Sequence, residues 1–517
     1  MKFHGLLLAA ALLAASGQWA MADSTPQNNG NNAPPPAVAK EFALIDQANA
    51  KLDAKDWHGA AALLSQIAKD EGFSLLSDET QYQVYHFLSV ASYLDNDNDT
   101  AWQAVQMAVR PERAVQGDWY IRFDVALRRD DDDASVDSLT TLAERFPTAL
   151  ANVANPTVYY VVRQAKKLPI GEERQAKLLR ALFADHWKPQ DAEPGSADGL
   201  WLDLMRYYLK GRQDADAKAV ASVITNPDVI IAMRAEMLFD ALTAADPGHY
   251  DIDAAFDREL AANRAWMDSH PDELGPIVSY ALLLVERDRP SEALPLLDRA
   301  LARAGSASHS PFSDYAHAIN WVYDTRARAL MSLDRVDEGL AQLAKGAALE
   351  EDGGTVNVSQ TINLADAYYL LGRPQEALAT LARLDRDSGS PYGRMAYEEA
   401  RGCAYAEIND TAGLARTMAY VNDHVIDAPG VKANILICAG DLDGAAAALI
   451  ANLGDPDLAS NTLRQLQIYR KPAAVTHPSA FEQLLDQRRD ALRARADLKV
   501  AIDKVGRILT LPVLDLE

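Results

Sequence analysis

The chain of 517 residues is poor in the residues that carry chemistry. It has two cysteines, Cys403 and Cys438, too few for a disulfide framework or a cysteine-built zinc site to organise the fold. Its ten histidines form no His-Glu-x-x-His or other i, i+4 pair, and there is no Gly-x-Ser-x-Gly elbow and no glycine loop able to cradle a phosphate. Positive charge is also short, with 50 basic against 74 acidic residues and a net charge of −24. That balance argues against nucleic acid or an anionic membrane as a partner. No catalytic residue, metal ligand or cofactor site follows from these absences.

Two acidic runs suggest cation binding and then fail on spacing. Asp95-Asn96-Asp97-Asn98-Asp99 starts like a calcium loop, but Thr100 stands where a glycine must make the sharp turn and Gln106 where a bidentate glutamate is needed. It reads as a solvated turn. Asp130–Asp133 reads as a helix N-terminus, where the backbone dipole tolerates like charges. His86, on an expected helix Tyr82–Leu94, reads as a satisfied core or surface residue.

Met1–Ala22 has the grammar of a secretory signal. Lys2 gives the positive start, Leu6–Ala15 the apolar run, and Ala20-Met21-Ala22 a small-residue cleavage site before Asp23. The run is too short to span a bilayer, and no later stretch approaches the ~18 apolar residues that spanning needs. A periplasmic protein without an integral membrane segment after cleavage is the expectation. Residues 23–36, rich in Asn, Gln and Pro, read as a disordered linker.

What the chain does have is a repeated pattern. In Val358–Leu384, Leu364, Ala365 and Tyr368 put a small residue beside two large ones on one helical face; Gly372 ends that helix and Pro374 starts another, where Ala377 and Leu381 repeat the device. Gly402, Tyr405, Asn409 and Leu414 match Ala365, Tyr368, Gly372 and Ala377 at 37 residues' distance, and Gly440–Ala446 matches the turn again. Leu333–Leu340 lies 38 residues before Leu371–Leu378, and Arg289-Pro290-Ser291-Glu292-Ala293-Leu294 repeats Arg-Pro-x-Glu-Ala-Leu. Weaker copies of the turn stand at Lys55–Ala61, Asn98–Trp102, Asp132–Ser135 and Gly211–Ala215. Leu168–Gly171 and Asp246–Gly248 could serve the same purpose.

This pattern resembles the tetratricopeptide repeat, with Thr361 in place of the signature's leading tryptophan. The resemblance implies an all-α helix-turn-helix solenoid, a right-handed superhelix, with divergent repeats over 37–273, clear repeats over 274–450, and C-terminal capping helices and a tail over 451–517. One long helix from about Ser479 to Arg507, apolar on one side and studded with arginines on others, suits the cap. In the repeat register Cys403 and Cys438 are staggered by about one turn on helices about 10 Å apart, so both are expected as free thiols.

The resemblance also implies a concave wall that holds a protein or peptide partner. By register this wall carries Trp321, Asp324, Arg328, Asn363, Asp366, Tyr369 and Glu399, a mixture suited to a peptide with polar and apolar anchors. The expected role is a non-enzymatic scaffold or adaptor in the cell envelope, assisting assembly or secretion. A periplasmic component of polysaccharide export is the alternative. An enzyme acting on the cell wall from a helical superhelix is weaker, since no stretch offers a compact catalytic domain.

Overall fold

The computed structural model describes residues 36–110, 112–305, 308–351 and 355–516. The signal and nearly all of the linker expected over 1–36 lie outside those residues. The described chain is all-α, helical almost throughout, and built largely of repeated antiparallel helix pairs. Residues up to Gln190, with Asp203–Gly211, form one compact unit, and Asp191–Leu202 with Arg212 onward form a second.

The first unit is built of consecutive antiparallel pairs: α1 (Pro36–Asp53) with α2 (Trp57–Lys69), α3 (Asp78–Leu94) with α4 (Asn98–Ala108), α5 (Gln116–Arg128) with α6 (Asp132–Arg145), and α7 (Asn155–Lys167) with α8 (Gly171–Ala184). Helix α9 (Asp198–Lys210) contributes residues to both units. The second unit continues with α10 (Asp214–Ala221), α11 (Pro227–Ala235), α12 (Asp240–Ala245) and α13 (Ile252–Ser269). Its regular pairs are α14 (Gly275–Glu286) with α15 (Pro290–Ala304), α16 (Tyr315–Met331) with α17 (Val336–Ala347), α18 (Val358–Leu370) with α19 (Pro374–Leu381), α20 (Pro391–Glu407) with α21 (Thr411–Asp423), and α22 (Pro429–Ala439) with α23 (Leu442–Leu453). Between α17 and α18, strand β1 (Glu350–Glu351) pairs antiparallel with β2 (Thr355–Val356).

One turn recurs between paired helices, and its chemistry explains why the weak copies fold like the strong ones. A residue in the left-handed region closes the first helix at Lys55, Asn96, Asp130, Asp288, Asp334, Gly372, Asn409 and Gly440. The next helix is then capped in one of two ways. At Asp56, Asp97, Asp131, Asp410 and Asp441 the carboxylate accepts the backbone N–H three residues on, which satisfies a donor the helix cannot use. At Arg289, Arg335 and Arg373 the guanidinium instead pairs with Glu292, Glu338 and Glu376 in the first turn. Both acidic runs resolve here as helix caps: Asp97 accepts from Thr100 and Asp131 from Ala134.

Small residues at the helix contacts set the spacing. Ala48, Ala60, Ala365, Ala377 and Ala433 are wholly buried, and a Cβ on Gly402 would come within 2.9 Å of Ile435. His86 is buried in the first unit against a carboxylate with no exposure at all, that of Asp118, at 2.6 Å; Asp118 also accepts from Tyr82 and the Val115 N–H.

Two expectations need correction. Cys403 and Cys438 are bonded, with Cα atoms 5.1 Å apart. In the repeat register Gly402 is equivalent to Ala433, but Gly402 packs on Ile435, two residues further along α22. That offset draws Cys438 back towards Cys403, and the missing side chain of Gly402 lets α20 and α22 close in. The expected long C-terminal helix is two, α25 (Ala480–Ala494) and α26 (Ala496–Ile502), because Arg495 adopts an extended conformation.

The C-terminal segment does more than cap. After α24 (Ala459–Gln465), strand β3 (Ile468–Arg470) pairs in parallel with β4 (Thr510–Leu514), which absorbs the apolar tail. Gly506 bridges Glu236, the Arg507 N–H donates to the Ala235 carbonyl at 2.8 Å, and Arg507 pairs with Asp240. A Cβ on Gly506 would lie 2.2 Å from the Ala235 oxygen, so only glycine permits this approach. The end of the chain is thereby fixed to the start of its own unit.

Candidate binding wall of the second unit

The first helices of successive repeats, α14, α16, α18, α20 and α22, carry every residue that the register assigned to the inner wall. Four of the seven take part in two separate hydrogen-bonded groups, and Asp366 and Tyr369 lie near them. Arg328 Nε donates to Asp324 Oδ2 at 2.7 Å, and Asp324 Oδ1 accepts from Asn363 Nδ2 on the next repeat at 2.9 Å. Asp324 is 3% exposed, so these donors replace water that it has lost. One repeat further, Glu399 accepts from Asn434 Nδ2 at 2.7 Å, and Asn434 accepts in turn from Gln465.

Between these links stand Asp366 and Tyr369. Burial raises the Asp366 carboxyl well above its ordinary range; Glu399 adds to the rise and Arg328 opposes it. Glu399 itself is pushed up to about 7 by burial, against the pull of Asn434 and Arg489. Tyr369 is 8% exposed and meets the ring of Phe481 edge-on at 6.3 Å between centroids. Only Trp321 is substantially open, at 40%.

The cover over these residues is the chain's own C-terminal segment. Phe481 at the start of α25 reaches Tyr369 of α18, and Ser479 donates to the Leu370 carbonyl. Further along α25, Arg488 donates to the carbonyls of Ile437 and Cys438 at the end of α22, at 3.0 and 2.6 Å. Strand β4 rests on α13 and α14, and Arg328 donates to the Leu516 carbonyl. The arginine-bearing helix therefore lies across several repeats.

Sequence reasoning missed a second group. Phe256, Glu286, Arg464 and Tyr469 meet Trp321, Asp324 and Arg328 around a cavity of about 250 Å³, closed on one side by Val513–Leu516. Glu286 has a visible signal, a lone acid ending the apolar run Ala281–Val285. Nothing in the repeat pattern shows that the tail would return to meet it.

The class defined by this geometry is an all-α chain of repeated helix pairs, with polar and aromatic residues along the first helices of the second unit's pairs. No family model matches the chain, and no curated protein matches it. Among solved structures it is similar to the crystal structure of the APC/C hetero-tetramer Cut9-Hcn1, at 11% identity over 90% of this chain and 96% of that one, with a TM-score of 0.27. It is similar to Naa15/Naa10 bound to HypK-THB at 12% identity over 89% and 74%, with a TM-score of 0.25. A circular tandem repeat protein with novel repeat topology follows at 10% identity over 90% and 97%, with a TM-score of 0.15. Superpositions this loose carry no functional argument. Among the described residues no helix is long and apolar enough to cross a membrane.

Proposed function

We propose that this protein is an exported scaffold of the cell envelope that holds a protein partner on the inner face of its second unit, with a role in assembly or secretion and no catalysis of its own. The observation that carries the reading is the occupied wall. Tyr369 meets Phe481 of α25 ring to ring, Arg328 donates to the Leu516 carbonyl just past β4, and Arg488 of α25 donates to the carbonyls that end α22. These are the contacts by which a groove recognises a helical or extended peptide. The signal-like Met1–Ala22 supports export, and the charge of −24 supports a protein partner over nucleic acid.

The test is photocrosslinking in cells from position 321, with a second probe at Ile170 of the first unit, which is 71% exposed. Adducts with a discrete envelope protein from 321 alone are expected. Adducts from 170 alone would move the binding face off the wall. Recovery of the chain with Met1 intact, in place of a start at Asp23, would overturn export.

A further inference from the structure

The cavity beside Glu286 shares Trp321, Asp324 and Arg328 with the wall, but Glu286, Arg464 and Tyr469 have no part in the reading above. At about 250 Å³ it falls below the ~300–1,000 Å³ of sites for drug-sized ligands, so it fits a group the size of a side chain. Its lining selects the charge of that group. Arg328 is engaged by Asp324 and the Leu516 carbonyl, and Arg464 lies 3.9 Å from Asp228. Glu286 and Asp515 also line the cavity, so carboxylates outnumber guanidinium groups. Among the described residues no donor is within hydrogen-bonding distance of Glu286. The half-open indole of Trp321 and the ring of Tyr469 complete the walls, and aromatic faces attract a cation.

We propose that this cavity is a binding site for a single ammonium or guanidinium group, with the Glu286 carboxylate as its counter-charge and Trp321 and Tyr469 as its aromatic walls. The group belongs either to a free amine or to a lysine or arginine side chain of a bound protein. The site does not depend on the scaffold role: a failure to find an envelope partner would leave it standing, and its own failure would leave the wall intact.

Occupancy is coupled to a proton. Burial, then Asp228 and Glu193, hold the Glu286 carboxyl up at about 8, against Arg464 and Arg328. At neutral pH the empty site therefore carries a proton that an arriving cation displaces. Asp324, Asp515 and Tyr469 also face the cavity. Apparent affinity should rise by nearly tenfold per pH unit up to about pH 8 and level off above it.

The experiment is calorimetry on the full chain with benzamidine and agmatine, with benzamide as the uncharged isostere of the first. The capped peptide Gly-Gly-Arg-Gly-Gly is the fourth probe. One cation per chain is expected, with proton release seen as a difference in heat between two buffers at pH 7. Benzamide should not bind. Glu286→Gln keeps the shape of a carboxyl that is already protonated, so it should fold normally, lose tenfold or more in affinity and lose the pH slope. Trp321→Leu, at an exposed position, should weaken binding and keep the slope. Tighter binding of the peptide supports a protein side chain as the source, and tighter binding of agmatine a free amine. Equal binding of benzamide and benzamidine, an unchanged Glu286→Gln, or no binding of any cation would each overturn the proposal.

Discussion

Arg328 joins two parts of the second unit that are far apart in sequence, and its removal should be felt by both. Its guanidinium donates to Asp324 at 2.7 Å and to the carbonyl of Leu516. Asp324 has a side chain 4% exposed, while that of Arg328 is 29% exposed. Breaking a fully buried pair costs about 3–5 kcal/mol because the partner stays behind uncompensated. Here Asn363 still donates to Asp324 and water reaches the arginine, so the cost lies at or just below the bottom of that range, about 2–3 kcal/mol. The lost bond to the tail adds about 1 kcal/mol. Arg328→Ala should therefore lower the stability of the second unit by about 3–4 kcal/mol, which at a urea m-value of about 3 kcal/mol/M moves the midpoint by about 1 M. Unfolding in urea followed by circular dichroism reads the first quantity. Limited carboxypeptidase digestion reads the second, because the tail loses a tie. A variant within about 0.5 kcal/mol of the parent, with its tail equally protected, would refute the reasoning. Arg328→Glu, which places a second carboxylate beside Asp324, should be worse than alanine.

The disulfide closes a loop with a sequence separation of 35, for which chain entropy gives about 4 kcal/mol. Cys403→Ser with Cys438→Ser should cost about that much in urea unfolding, and thiol labelling of the denatured parent should find no free cysteine before reduction. Ala365→Leu adds bulk at a wholly buried helix contact and should cost about 1–3 kcal/mol without loss of helical signal below the transition. Glu286 and Glu259 are pushed up to about 8 by burial and Glu399 to about 7. An acid raised in the folded state stabilises below its unfolded value of about 4.5 and loses that contribution as pH rises through the folded value. The melting temperature should thus fall from pH 5.5 to pH 8.5, and Glu286→Gln should make the fall smaller. An equal or higher melting temperature at pH 8.5 would contradict the burial of these carboxyls.

The repeat turns were legible because each needs a residue tolerant of the left-handed region followed by a cap, and Asp, Asn, Gly and Arg-x-x-Glu stand out locally. The links from Arg328 through Asp324 to Asn363 follow the repeat register, which determines which residues share a helix face. What covers the wall was not legible. Phe481 and Arg488 are ordinary members of an amphipathic helix, and nothing in their spacing says that they would reach Tyr369 and the end of α22. The cysteine pair was misjudged because residues equivalent in the repeat are not those that touch, as Gly402 on Ile435 shows. The cavity was invisible because Glu286 and Val513 are more than 200 residues apart.

The tie between Gly506-Arg507 and Ala235-Glu236 changes how the second unit can fold. A solenoid normally grows by neighbours alone, so its early repeats settle while the rest is still being made. Here the carbonyl of Ala235 and the carboxylate of Asp240 receive their partners some 270 residues later. Closure over that length has a loop entropy that no adjacent repeat offsets, and it slows the final step. A nascent chain lacking its last dozen residues would display helices with no lock between the two ends. The same dependence makes the unit sensitive to cuts near its end. Loss of Gly506 onward should loosen α11 and α12 as well as the last repeat, so damage at one terminus is registered at the far edge of the same unit.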